Sequence, residues 1–183
     1  TLGLEMFGTA SKPKHELVSG LGAAPIDYKN ENWVEHILDK KHDGIDAVFD
    51  PIGGENFKES FRVLKKGGTL VGYGFYKAVM GKGGNIILDF IKLRLWDLLP
   101  NGKSTAFYSI GAMRKSHPDW FSEDLATLLS LLEQGKIKPV IAKRMPISDV
   151  KLAHELIEKA DVQGKIVLTM NEAVSVNIEK GAT

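Results

Sequence analysis

Three short stretches carry side chains able to do chemistry. Ser11 and Lys14 stand three residues apart around Pro13, just after the run Met6-Phe7-Gly8-Thr9-Ala10. A hydroxyl and an ammonium at the mouth of a helix can hold an anion. Asp50 closes the apolar run Gly44-Ile45-Asp46-Ala47-Val48-Phe49 and is followed by Pro51-Ile52-Gly53-Gly54. A carboxylate in that position can ligate a metal or take a proton, although an acid at a strand's end more often holds the turn that follows. Gly72-Tyr73-Gly74-Phe75 ends a second apolar run. The five histidines (His15, His36, His42, His117, His154) share no metal-ligand spacing, and the chain has no cysteine. Disulfides, cysteine nucleophiles and thiolate zinc sites are thereby excluded from it. No Ser-His-Asp arrangement can be argued from position alone.

The elements that must position these residues alternate. Gly44–Asp50 reads as a strand. Glu55–Lys66 reads as a helix, with Phe57, Phe61 and Leu64 on one face and Gly67-Gly68 as its stop. Thr69–Gly74 reads as the next strand. Strand, turn, helix, strand is a βαβ unit, and such units build parallel sheets whose ligands bind at the carboxyl ends of the strands. Upstream, Leu2–Ala10 and Ala23–Tyr28 read as strands, each followed by a helix. Ser11 is placed to cap the first helix, and Asn30 or Asn32 the second. Downstream, residues 76–84 read as a loop, and Asn85–Leu99 is unusually apolar. Lys103–Ile110 is a strand, Asp119–Gln134 a long helix, and 139–145, 148–157 and 165–170 a strand, a helix and a strand. Residues 171–183 form a tail of mixed polarity.

The chain has 183 residues, net charge +1, 43% hydrophobic and 26% charged residues. Such a balance is ordinary for a globular protein and implies no strong pull toward nucleic acid. No run is long enough to span a bilayer, no signal peptide is visible, and a cytoplasmic setting is compatible with the lack of cysteine. The Asn85–Leu99 segment carries few basic residues. Burial in a core, a subunit contact or an apolar substrate wall suits it better than a membrane surface.

The fingerprint Gly-x-Gly-x-x-Gly after a first strand is absent. If the fold binds a dinucleotide, its first βα unit lies outside this chain. In such folds the end of the second strand selects the cofactor: an acid takes the ribose hydroxyls of NAD, a cation the 2′-phosphate of NADP. Gly8-Thr9-Ala10-Ser11-Lys12-Pro13-Lys14 offers no acid, one hydroxyl and two lysines. This favours the 2′-phosphate; a plain capped helix with solvated lysines is the alternative the residues leave open.

Taken together, the strings Met6–Ser11, Leu21-Gly22-Ala23-Ala24 with Ile26-Asp27-Tyr28, Gly44–Asp50 with Gly53-Gly54, Leu64–Val71 and Gly164–Leu168 resemble the medium-chain dehydrogenase/reductase superfamily. Within it they resemble the zinc-free quinone oxidoreductases. The resemblance covers residues 4 to about 170. It implies an α/β fold: a partial Rossmann doubly wound parallel sheet lacking its first strand and Gly-rich loop, then a C-terminal strand-helix-strand that returns to a catalytic domain. It divides the chain at 1–111, 112–170 and a tail at 171–183. It implies NADPH as cofactor. Ser11, Lys14 and Tyr28 would hold the adenosine 2′-phosphate and flank the adenine. Asp50 and Gly53 would line the cofactor, and Gly72, Tyr73, Gly74 and Phe75 the nicotinamide ribose. Tyr108, Ser109 and Ile110 would end the sixth strand near the nicotinamide. No catalytic residue is assigned within the chain.

By the family's strand order 3-2-1-4-5-6 the missing strand is the central one, and its absence leaves two inner edges unpaired. An N-terminal catalytic domain and that strand are expected to come from a longer polypeptide or another segment. Residues 75–102 are long for the connection between the fifth and sixth strands. The resemblance further implies a homodimer through Lys103–Ile110 and hydride transfer from NADPH to a small quinone or α,β-unsaturated carbonyl. A non-catalytic nucleotide-sensing, protein- or membrane-contacting module on the same fold is the main alternative. A Rossmann methyltransferase, prompted by Asp50-Pro51 after a strand, is a distant third.

Overall fold

The computed structural model describes residues 3–81, 83–159 and 162–170. It divides into two compact units, Thr1–Leu125 and Ala126–Thr183. This boundary lies inside a continuous helix, whereas the sequence places one at Gly111. The tail 171–183 lies outside the described residues.

The first unit opens with β1 (Phe7–Ala10), α1 (His15–Gly20), β2 (Ala24–Asp27) and α2 (Trp33–Lys40). Strand β1 pairs in parallel with β2, Ala10 opposite Asp27. Successive strand residues point to opposite faces. Phe7 packs into the cluster of Ile26, Val34, Ile37 and Val63 on the α2 side. Gly8 faces α1, and a Cβ there would lie 2.8 Å from Val18 Cγ1. Helices thus cover both faces of β1, the doubly wound arrangement. Asn32 caps α2 by accepting from the Glu35 amide.

A second parallel sheet follows: β3 (Ile45–Asp50), α3 (Glu55–Arg62), β4 (Leu64–Gly72), α4 (Tyr76–Val79), α5 (Ile86–Asp97) and β5 (Ser104–Phe107). Its order is β3-β4-β5. Among the described residues no strand joins β1 to β3. The interruption falls where the order 3-2-1-4-5-6 places its central strand. What ties the two sheets is core rather than ladder. Val48 of β3 packs against the α2 cluster and also against Phe57, Leu64, Leu70 and Leu93. Its neighbour Phe49 points to the other face and is 69% exposed. One face of β3 is therefore packed and the other bare.

Several local expectations change. Helix α3 ends at Arg62, not at the glycine pair, because the Lys103 ammonium donates to the carbonyls of Phe61 (3.0 Å) and Arg62 (3.3 Å). A cation on the last carbonyls is a sound C-terminal cap. Gly67 and Gly68 instead sit inside β4, where the register with β3 shifts and Gly67 takes φ +79°. The segment 76–84 contains the single turn α4. The sixth-strand equivalent β5 stops at Phe107. Ser109 then accepts from the Ala112 amide and starts α6 (Ile110–Ser116), so Ile110 is helical. A Ser there competes for backbone amides and favours a cap over a strand end. Ser11 precedes its helix but makes no side-chain cap bond.

Helix α7 (Pro118–Glu133) runs across the unit boundary, and none of its residues is buried. The second unit carries β6 (Ile141–Pro146), α8 (Val150–Glu158) and β7 (Lys165–Thr169). Strands β6 and β7 are parallel, with Met145 and Ala153 buried beside them. This is the strand-helix-strand the sequence shows.

Candidate functional site

Parallel pairing brings the carboxyl ends of the strands to one edge. Asp50 stands opposite Gly72, and Gly72 opposite Phe107. The loops after β3, β4 and β5 are stitched together there. The Tyr73 amide donates to Asp50 O (3.0 Å), Tyr76 to Pro51 O (3.0 Å), and Tyr108 to Gly72 O (2.8 Å). Gly74 is required by this closeness, since a Cβ would lie 2.7 Å from the Pro51 carbonyl oxygen. Of the sequence-predicted residues, Asp50, Gly53, Gly72, Tyr73, Gly74, Phe75, Tyr108 and Ser109 meet at this edge, with Ile110 just beyond. Ser11, Lys14 and Tyr28 form a second group at the ends of β1 and β2.

Asp50 is fully engaged. Its buried carboxylate accepts from the amides of Ile52 (2.7 Å) and Gly53 (3.3 Å). It also accepts from Asn56 Nδ2 (2.8 Å) and Ser60 Oγ (2.7 Å). Both oxygens hold the turn and the first turns of α3, so Asp50 shapes the site and has no oxygen left for metal or proton work. Phe75 stacks on Phe107 at 4.7 Å and meets Phe57 edge-on at 6.1 Å. Its ring belongs to the loop's apolar base. Tyr73 and Tyr108 are roughly half-exposed along this edge, and so is Tyr28 at the end of β2.

At the other group, the carboxyl of buried Asp27 accepts from the Lys29 amide (3.1 Å) and from Asn30 Nδ2 (2.7 Å). The Asn30 bond holds its pKa below the ordinary 3.8, with the Lys29 amide and the charges of His15 and Lys12 adding to that. Asp27, the acid that ends β2, is thus engaged by Lys29 and Asn30. Lys14 makes no ion pair among the described residues.

Three residues escape sequence reasoning. Asn56 and Ser60 stand four apart on α3, facing Asp50. Asp89, the acid inside the apolar segment, is 2% exposed and accepts from the Gly54 amide at 2.9 Å. The only signal for it is an acid set among Ile, Leu and Phe, one of two in the segment with Asp97. The segment itself folds as α5. Its inner side buries Leu93 and stacks Trp96 on Phe61, while Ile87, Ile91, Leu95 and Leu98 lie open. Among the described residues no group of three or more His, Asp or Glu could hold a metal. No helix among them is long and apolar enough to cross a membrane.

Comparison with known proteins agrees with this geometry. Residues 21–168 match the family model described as zinc-binding dehydrogenase. A synaptic vesicle membrane protein VAT-1 homolog of Danio rerio is 29% identical over 174 residues, which are 90% of this chain and 35% of that protein. Among solved structures, the CurK enoyl reductase superposes with TM-score 0.74 at 24% identity, over 92% of this chain and 48% of its own. A mycobacterial protein complexed with NADPH superposes with TM-score 0.72 at 23% identity, over 91% and 49%. The chain thus spans less than half the length of each of these proteins.

Proposed function

This chain belongs to the zinc-binding dehydrogenase family, within the medium-chain dehydrogenase/reductase superfamily, and we propose that it is the cofactor-binding part of an NADPH-dependent quinone or enone reductase. The observation that carries the cofactor choice is the end of β1. A hydroxyl, Ser11, and an ammonium, Lys14, that makes no ion pair among the described residues follow that strand, while Asp27, the acid ending the neighbouring strand, is engaged by Lys29 and Asn30. Such an edge takes a 2′-phosphate in preference to free ribose hydroxyls. The NADPH held by a solved structure of this fold supports the same choice.

Bound NADPH would supply hydride to an electron-poor alkene or quinone. The chain's own residues bind and orient. Ser11 and Lys14 would hold the phosphate, and Tyr28 would flank the adenine. The Asp50-fixed turn and the loop Gly72–Phe75 would border the nicotinamide end, with Tyr108 beside it. The pyrophosphate loop, the substrate-contacting groups and the central strand would come from outside these residues. Zinc-independence is part of the same proposal. A homodimer through the β5 edge and a cytoplasmic location belong to the same proposal.

Replacing Lys14 in the full-length protein tests the reading. Lys14→Ala should weaken NADPH about tenfold or more, the value of one charge-assisted phosphate contact, and leave NADH unchanged. Equal losses for both would refute the phosphate role.

One observation favours a second reading, a membrane- or protein-contacting module without catalysis. The outer side of α5 is apolar and open, with Leu98 79% exposed, and the Danio rerio relative is named a vesicle membrane protein. Quinone turnover with NADPH supports the first reading. Vesicle co-sedimentation lost on Ile91→Asp and Leu98→Asp, without any turnover, supports the second.

A further inference from the structure

We propose that Asp89 is a positioning residue, which sets the cofactor-side turn at Gly53-Gly54 from the helix α5. The inference rests on the reading that this turn borders a dinucleotide. Gly53 takes φ +75° and Gly54 φ +62°, ψ −135°. Two adjacent glycines in conformations closed to other residues have wide freedom, and something must remove it. Asp50 fixes the amides of Ile52 and Gly53 from within the βαβ unit. The next amide, Gly54, is fixed from outside it, by Asp89 35 residues along the chain.

The chemistry around Asp89 suits this task. A buried carboxylate is costly unless charge and hydrogen bonds compensate it. Lys92 lies 3.8 Å from Asp89 Oδ1 and 3.7 Å from Glu55 Oε1, so one ammonium spans α5 and the start of α3. Asn85 caps α5 by accepting from Ile87 and Leu88, which holds the first turn bearing Asp89 in place. The carboxylate also lies within ordinary contact range of two of the loop glycines. A Cβ on Gly84 would lie 3.4 Å from Asp89 Oδ2, and one on Gly53 would lie 3.6 Å from the same oxygen. An apolar residue at this position would suit the surrounding helix and leave the Gly54 amide without its acceptor. Burying the acid carries a cost, and what it secures is the shape of the turn. The long connection between β4 and β5 thereby becomes a support of the cofactor edge.

The test compares Asp89→Ala and Asp89→Asn with wild type in the full-length protein. Two quantities are read: dinucleotide Kd by fluorescence, and hydrogen exchange of the peptide covering residues 51–57. Asp89→Ala should raise the Kd for NADPH and NADH alike by about tenfold and speed exchange in the peptide by a similar factor. Asp89→Asn keeps an acceptor oxygen and should restore most of both. Equal weakening of the two cofactors separates this effect from that of Lys14. A wild-type Kd in Asp89→Ala overturns the inference, as does an Asn variant no better than Ala. If the Ala variant does not fold, Asp89→Glu, which keeps the charge and displaces it by one methylene, must show the same rise or the inference fails. Wild-type protein that binds neither dinucleotide overturns the cofactor reading itself, and this inference with it.

Discussion

Asp50 offers the sharpest test of how the candidate site is built. Asp50→Ala removes an acceptor from four donors at once. Two of these, Ser60 Oγ and the Gly53 amide, lie at buried contacts. A buried donor left without a partner costs about 1–3 kcal/mol. The Ile52 amide and Asn56 Nδ2 are only partly buried and can turn to water, so they add little. Two stranded groups place the loss at about 4 kcal/mol. Asp50→Asn keeps one acceptor oxygen, and the Ser60 hydroxyl can rotate to accept from the new amide; its loss should be about 1–2 kcal/mol. Ser60→Ala removes one donor together with its need and should cost about 1 kcal/mol. All three tryptophans, Trp33, Trp96 and Trp120, lie in the Thr1–Leu125 unit, so tryptophan fluorescence reports that unit alone. With a urea slope of about 2 kcal/mol/M, Asp50→Ala should lower the midpoint by about 2 M and Asp50→Asn by less than about 1 M. An Ala variant within about 0.5 M of wild type would refute the turn-holding role and return Asp50 to the candidates for direct chemistry.

Two other outcomes follow from burial. Phe57 is fully enclosed between α3, β4 and α5, so Phe57→Ala should cost about 3–5 kcal/mol, whereas Phe49→Ala on the bare face of β3 should change stability by less than about 0.5 kcal/mol in urea titration of this chain. Lys103 is pulled below the ordinary lysine value of 10.5 by burial against the end of α3. Its unfolded form therefore binds a proton more readily than its folded form, and stability should rise as pH climbs through the folded pKa toward 10.5. The difference in Tm between wild type and Lys103→Met, followed from pH 7 to 11, should grow in favour of wild type on that limb (about one proton's worth of slope at most). A difference that stays flat or falls would contradict it.

How much was legible is best seen residue by residue. The alternation of strand and helix from Phe7 to Gly72 is written locally, in apolar runs, capping residues and turn glycines, whereas 76–84 and Asn85–Leu99 carry no helix assignment in the sequence and fold as α4 and α5. The expectation of a sheet with its middle absent comes instead from the family resemblance and its strand order, and the separate β1-β2 and β3-β4-β5 sheets match it. Boundaries failed where a distant group decided them. Helix α3 stops at Arg62 because Lys103, some forty residues on, caps it. Gly67-Gly68 was free to enter β4 once that cap existed. Ser109 is different: its cap on the Ala112 amide is a local signal, three residues along, that the strand reading of Lys103–Ile110 passed over.

The same division runs through the site. Asp50 at the end of an apolar run and two glycines in the following turn are properties of the sequence. That Asp50 is consumed by Ile52, Gly53, Asn56 and Ser60 follows from α3 folding back over the strand's end. That Gly54 answers to Asp89 follows from α5 packing against α3, with Leu93 beside Phe57. Local propensity and periodicity act over a few residues and fix which segments become strands and helices. Hydrogen-bond partners and burial are settled between segments far apart in the chain, after packing has chosen which faces meet. The sequence by itself therefore determined the order of strands and helices and the strand ends where the candidate site lies. Only the tertiary structure decided which of its acids are free to do chemistry.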